Sequence, residues 1–177
     1  MLAGMRPGLE KIVAARTDFA RVPSSIQVTS AAFGDFGALP HLFTEDGDGT
    51  SPPIAWKGLP ELTRSVVLIV EDADAPMPSP LVHAIAWSIA PATEGLQEGA
   101  LAGASDVALM GNNSYLKPRW LPPDPPPGHG LHRYAFQVFA LDAAPKLAVH
   151  PGRRAIVQAM RGHALARGLL IGTYQRV

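Results

Sequence analysis

The 18 prolines and 17 glycines of this 177-residue chain lie between its apolar runs and keep each run short. Proline cannot donate a backbone hydrogen bond and glycine weakens regular elements, so both residues mark turns. The runs between them are rich in β-branched and aromatic residues, which favour strands. This punctuation predicts a turn-rich, mainly β fold, and it argues against alternating strands and helices.

Several of these runs are predicted to be strands. In one of them Tyr134 and Phe136 fall on one face while Ala135 and Phe139 fall on the other, so both faces are apolar and the strand is expected to lie inside a sheet. The predicted strands cover residues 26–30, 54–57, 65–71, 82–90, 133–141 and 169–174.

Two stretches near the ends have helical spacing. In the first, Leu9, Ile12 and Val13 predict a short helix within an N-terminal extension, residues 1–25, that packs on the sheet or forms a homodimer. The second begins at Pro151 and is expected to end at a capping Gly168. Residues 26–177 are then expected to form a single domain.

Composition excludes several classes of function. Lys+Arg and Asp+Glu both number 15, so no basic field exists to collect nucleic acid or an anionic membrane. The chain has no cysteine, which excludes disulfides, thiolate zinc sites and thiol nucleophiles. The first residues lack a secretory pattern, and the longest apolar run is far below the roughly 20 residues of a membrane-spanning helix. A soluble, cytoplasmic protein is therefore expected.

Ionisable side chains collect at three places beside proline or glycine. Asp72 and Asp74 follow an apolar strand and precede Pro76, so they either cap a turn or face a pocket. His83 lies inside an apolar strand, where a lone histidine is usually a structural residue. His129 and His132 flank the entry to another strand, after a proline-rich loop over residues 118–130 that is either a rigid connector or a pocket wall.

The order of these motifs resembles that of the phosphatidylethanolamine-binding proteins, in their prokaryotic Raf-kinase-inhibitor-like branch. The Asp-x-Asp-Ala-Pro motif followed by Gly-x-His-Arg-Tyr is the most specific part of the match. The motifs that carry the resemblance are residues 26–30, 50–56, 72–76, His83, 126–134 and 172–174.

The resemblance implies a large antiparallel sheet packed with a smaller sheet, short peripheral helices including one near the C-terminus, and one anion pocket. It implies a non-enzymatic protein that binds phosphate or a phospholipid head group, possesses no cofactor and regulates an unknown protein partner. Asp74 and Arg133 are expected to be structural. The expected ligand-binding residues are Asp72, Pro76, His83, His129, His132 and Tyr134.

This chain departs from the family pattern around the expected pocket. Val82 and Ala84 stand where aromatic residues commonly flank the strand histidine, and Trp120 stands where a tyrosine is common. The pocket mouth is therefore expected to be smaller and differently shaped. An Asp72 carboxylate without a partner would repel phosphate. We therefore predict that the affinity for phosphate falls as pH rises through the range in which histidine loses its proton.

Two other functions use the same residue types. A metal site would draw on the carboxylates and imidazoles, but no helical ligand spacing or EF-hand pattern is present. A hydrolase would use them as acid and base, yet neither Ser51 nor Ser114 lies in a nucleophile motif. The candidate metal ligands are Asp72, Asp74, His83, His129 and His132.

Overall fold

Strands dominate the computed structural model, which describes residues 4–177. The helices are α1 (Thr17–Ala20) and α2 (Arg153–Met160), and single 3-10 turns form at Leu9–Lys11, Val13–Ala15, His41–Phe43 and Ala100–Ala102. The strands are β1 (Gln27–Thr29), β2 (Gly37–Ala38), β3 (Ile54–Lys57), β4 (Ser65–Asp72), β5 (Leu81–Ile89), β6 (Gly95–Leu96), β7 (Leu109–Gly111), β8 (His132–Leu141) and β9 (Ala164–Tyr174). The mainly β prediction is confirmed.

The strands form two sheets of unequal size. The larger has the order β2-β9-β8-β4-β5-β7 and the smaller the order β1-β3-β6. Among the strand pairs within residues 4–177, only that of β2 and β9 is parallel. Strand β8 lies between β9 and β4, and nine of its ten residues are buried, as its two apolar faces predict.

The larger sheet carries an apolar core on each face. The core between the two sheets joins Val28 and Trp56 of the smaller sheet to Leu68 and Phe136 of the larger. The core on the outer face is covered by the N-terminal segment and α2, which contribute Ile12, Val13, Phe19, Ile156, Val157 and Met160. Burial of both faces explains why the central strands read as continuous apolar runs.

The prediction that the C-terminal helix reaches Gly168 is wrong. Helix α2 ends at Met160, and Gly168 lies inside β9 opposite Val138. A side chain at Gly168 would collide with the carbonyl oxygen of Ile26, so this glycine permits close approach of the chain leading into β1. The apolar residues after Met160 have a spacing that fits both a helix and a strand, so the sequence pattern does not distinguish the two. The segment forms a strand because it pairs with β8.

The N-terminal segment, residues 4–25, forms two 3-10 turns and α1 where the sequence predicts one helix. Ile12 and Val13 are 2% and 0% exposed because they cover the outer face of the sheet. These two residues therefore offer no free surface for the predicted homodimer, which stays a prediction without support from them.

A buried carboxylate fastens this segment to the sheet. Glu71 of β4 accepts hydrogen bonds from the backbone N–H of Val13 and from Gln137 Nε2, both at 2.8 Å. Its other oxygen accepts from Arg153 Nε at 2.5 Å. Gln137 in turn accepts from the backbone N–H of Ala14 at 2.7 Å. The segment, the sheet and α2 thus meet at one fully buried charge.

Candidate functional site

At His83 a β-bulge interrupts the regular alternation of β5 side chains between the two faces of the sheet. Val70 of β4 pairs with Ala84 and Glu71 pairs with Val82, so the register skips His83. Val82 belongs to the outer-face core, whereas Ala84 belongs to the core between the sheets. The extra residue lets the His83 ring lie on the same side as Ala84, at the edge where β4 ends.

A cavity of about 410 Å³ lies at this edge of the larger sheet. Four of the predicted residues line it: Asp72, Pro76, His83 and His132. The proline-rich loop supplies much of the remaining wall. The other lining residues are Glu45, Ala75, Met77, Leu81, Tyr115, Leu121, Pro122, Asp124, Pro125 and Pro126.

Asp72 orients His132. The Asp72 side chain is buried, and its Oδ2 accepts a hydrogen bond from His132 Nδ1 at 2.7 Å. Its Oδ1 accepts from the backbone N–H of Asp74 at 2.8 Å, which fixes the turn after β4. The carboxylate therefore directs the opposite ring nitrogen, Nε2 of His132, away from itself.

His129 completes a chain of three hydrogen-bonded side chains. His129 Nδ1 lies 2.7 Å from His132 Nε2, so one proton is shared between these two ring nitrogens. Desolvation, helped by the nearby His132 and Arg6, lowers the pKa of His129, which keeps its ring neutral at pH 7. Its Nε2 is buried and has no hydrogen-bond partner among the residues that the structure describes. His129 does not itself line the cavity.

His83 presents a lone pair to the site. Its Nδ1 lies 2.6 Å from the carbonyl oxygen of Leu121, which can only accept, so the proton is assigned to Nδ1. Burial lowers the pKa of His83, so the ring is neutral at pH 7 and Nε2 is an acceptor. Within residues 4–177 this buried Nε2 has no donor.

Tyr134 lies behind the two histidines. The ring is fully buried, with its centroid 5.2 Å from that of His83 in an edge-on arrangement and 6.4 Å from that of His132. Burial raises the pKa of Tyr134, so its hydroxyl stays protonated. This hydroxyl lacks a partner in the described part of the chain. Tyr134 is therefore placed beside the cavity without lining it.

Trp120 and Leu81 shape the cavity where the chain departs from the family pattern. The Trp120 ring stacks on Phe136 at 6.2 Å and lies 6.0 Å from His83, so it fills the wall behind the histidine. Leu81 lines the cavity, whereas Val82 faces the outer core. The β5 residue that lines the cavity near His83 is thus aliphatic.

Asp74 and Arg133 bind each other. Arg133 Nε and Nη2 donate to the two carboxylate oxygens of Asp74 at 2.7 and 2.8 Å, and its backbone N–H donates at 2.9 Å. Burial alone would raise the pKa of Asp74, but these bonds hold it below its usual range. Neither residue lines the cavity, so the pair braces the junction of β4 and β8.

Arg6 holds the loop that carries His129. It donates to the backbone carbonyl oxygen of Leu131 at 2.7 Å and to that of His129. Gly128 and Gly130 flank the histidine with φ of 74° and 90°, a backbone conformation that favours glycine. No sequence motif marks Arg6, because its contacts span more than 120 residues.

Two carboxylates of the cavity were not predicted. Asp124 is paired with Arg176, whereas Glu45 has no ion pair in the part of the chain that the structure describes. The position of Asp124 inside the proline-rich loop could have identified it, but nothing in the sequence marks Glu45. Among the described residues that line the cavity none is a lysine or arginine, so their only cationic groups are imidazoles when protonated.

Residues 4–177 contain neither a cluster of metal-ligand side chains nor a membrane-spanning helix. No three His, Asp or Glu side chains are grouped so that they could hold a metal ion. The nitrogens of His129 and His132 instead face each other. No helix there is long and apolar enough to cross a membrane.

Two packed sheets with a histidine and carboxylate cavity at one edge define a mainly β fold class, and comparison with known proteins identifies the family. The family model for phosphatidylethanolamine-binding protein matches residues 29–175. A UPF0098 protein of Pyrococcus horikoshii is 36% identical over 150 residues, covering 83% of this chain and 75% of the relative. The chain belongs to the phosphatidylethanolamine-binding protein family, as the sequence resemblance predicts.

Solved structures support this assignment. The structure of a phosphatidylethanolamine-binding protein homologue from Chlamydia trachomatis is 32% identical, with a TM-score of 0.79 over 87% of this chain and 99% of that one. Escherichia coli YbcL is 24% identical with a TM-score of 0.81, covering 86% of this chain and 99% of its own, and shows the same fold. The two-sheet architecture is therefore confirmed.

Proposed function

We propose that the chain is a non-enzymatic binding protein for small phosphorylated anions, which it holds between His83 and His132. The observation that carries this proposal is a set of buried polar atoms around the cavity. His83 Nε2, His129 Nε2 and Tyr134 Oη have no partner within residues 4–177. An unpaired buried polar group costs about 1–3 kcal/mol, so a ligand that satisfies these atoms gains affinity.

A singly protonated phosphate matches the protonation state assigned to His83, whose Nε2 is a hydrogen-bond acceptor. Its P–OH can donate to the lone pair of His83 Nε2, because His83 lines the cavity and this nitrogen has no donor within residues 4–177. Loss of the ligand proton, near pH 6 for a phosphate ester, removes the donor and adds negative charge near Glu45. The affinity is therefore expected to fall as pH rises from 5 to 8.

The environment of the serines favours binding over hydrolysis. Ser51 Oγ accepts from the backbone N–H of Leu101, and Ser114 Oγ accepts from that of Val82. Neither serine lines the cavity, so neither presents a hydroxyl nucleophile to the hydrogen-bonded carboxylate and histidines. Regulation of a partner protein and a cytoplasmic location stay predictions.

Calorimetry with inorganic phosphate and phosphoethanolamine between pH 5 and 8 tests this proposal. His83→Asn keeps a donor for the Leu121 carbonyl oxygen but removes Nε2, so phosphate affinity should fall at least about tenfold. His163→Asn, at an exposed histidine paired with Asp142, is the matched control. A pH-independent affinity, or equal affinity in both variants, would contradict the proposal.

The same titrations distinguish the two ligands. Glu45 is the cavity carboxylate without an ion pair in the described residues, so it is placed to meet an ammonium group. Glu45→Gln should weaken phosphoethanolamine and leave phosphate unchanged or tighter. Asp72→Ala should weaken both, because His132 loses its orienting carboxylate.

A further inference from the structure

A second concave surface lies on the other side of the larger sheet. It has a volume of about 590 Å³ and shares no lining residue with the histidine cavity. We call it the arginine groove; its lining residues are Arg16, Arg153, Arg154, Val157, Gln158 and Arg161.

The groove forms where the N-terminal segment meets α2. Arg153 and Arg154 begin helix α2 and Arg161 follows its last residue, Met160, so these arginines line the groove from the two ends of the helix. Arg16 approaches from the opposite wall, at the junction between the Val13–Ala15 turn and α1. Covering the outer face of the sheet with these two elements therefore brings four guanidinium groups together.

The positive charge of the groove is only partly matched. Glu71 pairs with Arg153, and Asp18 pairs with Arg161 at 3.0 Å. Within residues 4–177, Arg16 and Arg154 have no carboxylate partner, and the buried Nε of Arg16 has no acceptor. Lys11 and Glu10 of the neighbouring hollow offset each other. Among the described residues, two positive charges of the groove thus have no ion pair and one buried donor has no acceptor.

We propose that the arginine groove is a second anion site, which binds a small molecule carrying two or more linked phosphoryl groups. Guanidinium forks match phosphate oxygens bidentately, and pairing with Glu71 and Asp18 holds two of the four in fixed orientations. The eight residues of α2 span about 12 Å at 1.5 Å per residue, so the two ends of the helix are farther apart than one phosphate extends. The groove volume is that of a small-molecule site.

Calorimetric titration with inorganic tripolyphosphate tests this site. The His83→Asn variant is used as the background, so that the histidine cavity does not contribute to the signal. Arg154→Gln and Arg16→Gln should each weaken binding about tenfold, because each removes a charge-assisted hydrogen bond. Arg64→Gln changes an exposed arginine outside the groove and should have no effect. Binding should also weaken as salt is raised from 50 to about 300 mM, because the groove is open to solvent.

Three results would overturn the proposal. The first is no tripolyphosphate binding in the His83→Asn background while wild type binds, which would place the anion in the histidine cavity. The second is an equal affinity loss in Arg154→Gln and Arg64→Gln. The third is binding of pentaglutamate as tight as that of tripolyphosphate, since a site for linked phosphates should discriminate against carboxylates.

Discussion

Replacing Glu71 with glutamine should detach the N-terminal segment from the sheet. The side chain keeps its shape but loses the charge that accepts bonds from the Val13 N–H, Gln137 and Arg153. A glutamine amide has one oxygen and one NH₂ group, so at least one of these donors would meet another donor. The perturbation therefore acts at a single buried junction without changing side-chain volume.

The expected loss follows from burial. Glu71 is 0% exposed and the Arg153 side chain is 24% exposed, so the pair is largely removed from solvent. Removing one partner of a buried ion pair costs about 3–5 kcal/mol. Arg153 reaches solvent in part, so the low end applies, and we expect a loss of about 3 kcal/mol in the free energy of unfolding. For a chain of this size that loss lowers the melting temperature by about 6–12 °C.

Equilibrium urea unfolding at pH 7.5, followed by tryptophan fluorescence and circular dichroism, measures this loss. Asp18→Asn is the matched control, because Asp18 and Arg161 also join the N-terminal segment to the region of α2. Their side chains are 37% and 50% exposed, so this pair should contribute less than about 1 kcal/mol. A Glu71→Gln loss below about 1 kcal/mol, or one equal to that of the control, would refute the reasoning.

Three further changes have defined outcomes. Arg6→Ala should speed amide hydrogen exchange over residues 128–132, because it removes both bonds that hold this loop; unchanged exchange would exclude the bracing role. Burial lowers the pKa of His83, so the unfolded chain binds more protons between that pKa and about 6.5, and the free energy of unfolding falls as pH drops through this interval. His83→Phe should make this decline shallower in urea titrations, and an unchanged slope would contradict the assignment. Gly168→Ala should lower the unfolding free energy by about 1–3 kcal/mol through its collision with the Ile26 carbonyl oxygen, and a neutral effect would show that the strands can separate there.

The long strands could be predicted because their signals are local. Proline and glycine directly flank β3 and lie within about five residues of both ends of β4 and β8, and alternation places Tyr134 and Phe136 on one face of β8. The sequence does not predict the short strands β2, β6 and β7, because none of them contains a β-branched or aromatic residue. Pairing with neighbouring strands, not composition, decides whether such short segments become strands.

The site could be predicted only in part, because some of its geometry depends on register. The motifs selected Asp72, His83 and His132, which the structure brings to one cavity. The bulge at His83 and the strand conformation of Gly168 arise from cross-strand pairing. The contacts of Arg6 and Glu71 join distant segments and carry no local pattern.

The bond between His129 and His132 makes the N-terminal segment part of the energetics of the proposed anion site. An anion that needs His132 Nε2 meets a nitrogen already bound to His129 Nδ1. It must therefore displace His129 or bind through the free Nε2 of that ring. Displacement requires the loop between Gly128 and Gly130 to move, and Arg6 resists that movement through two backbone carbonyl groups. Because Glu71 fastens the segment that carries Arg6, weakening that distant junction should also change phosphate affinity.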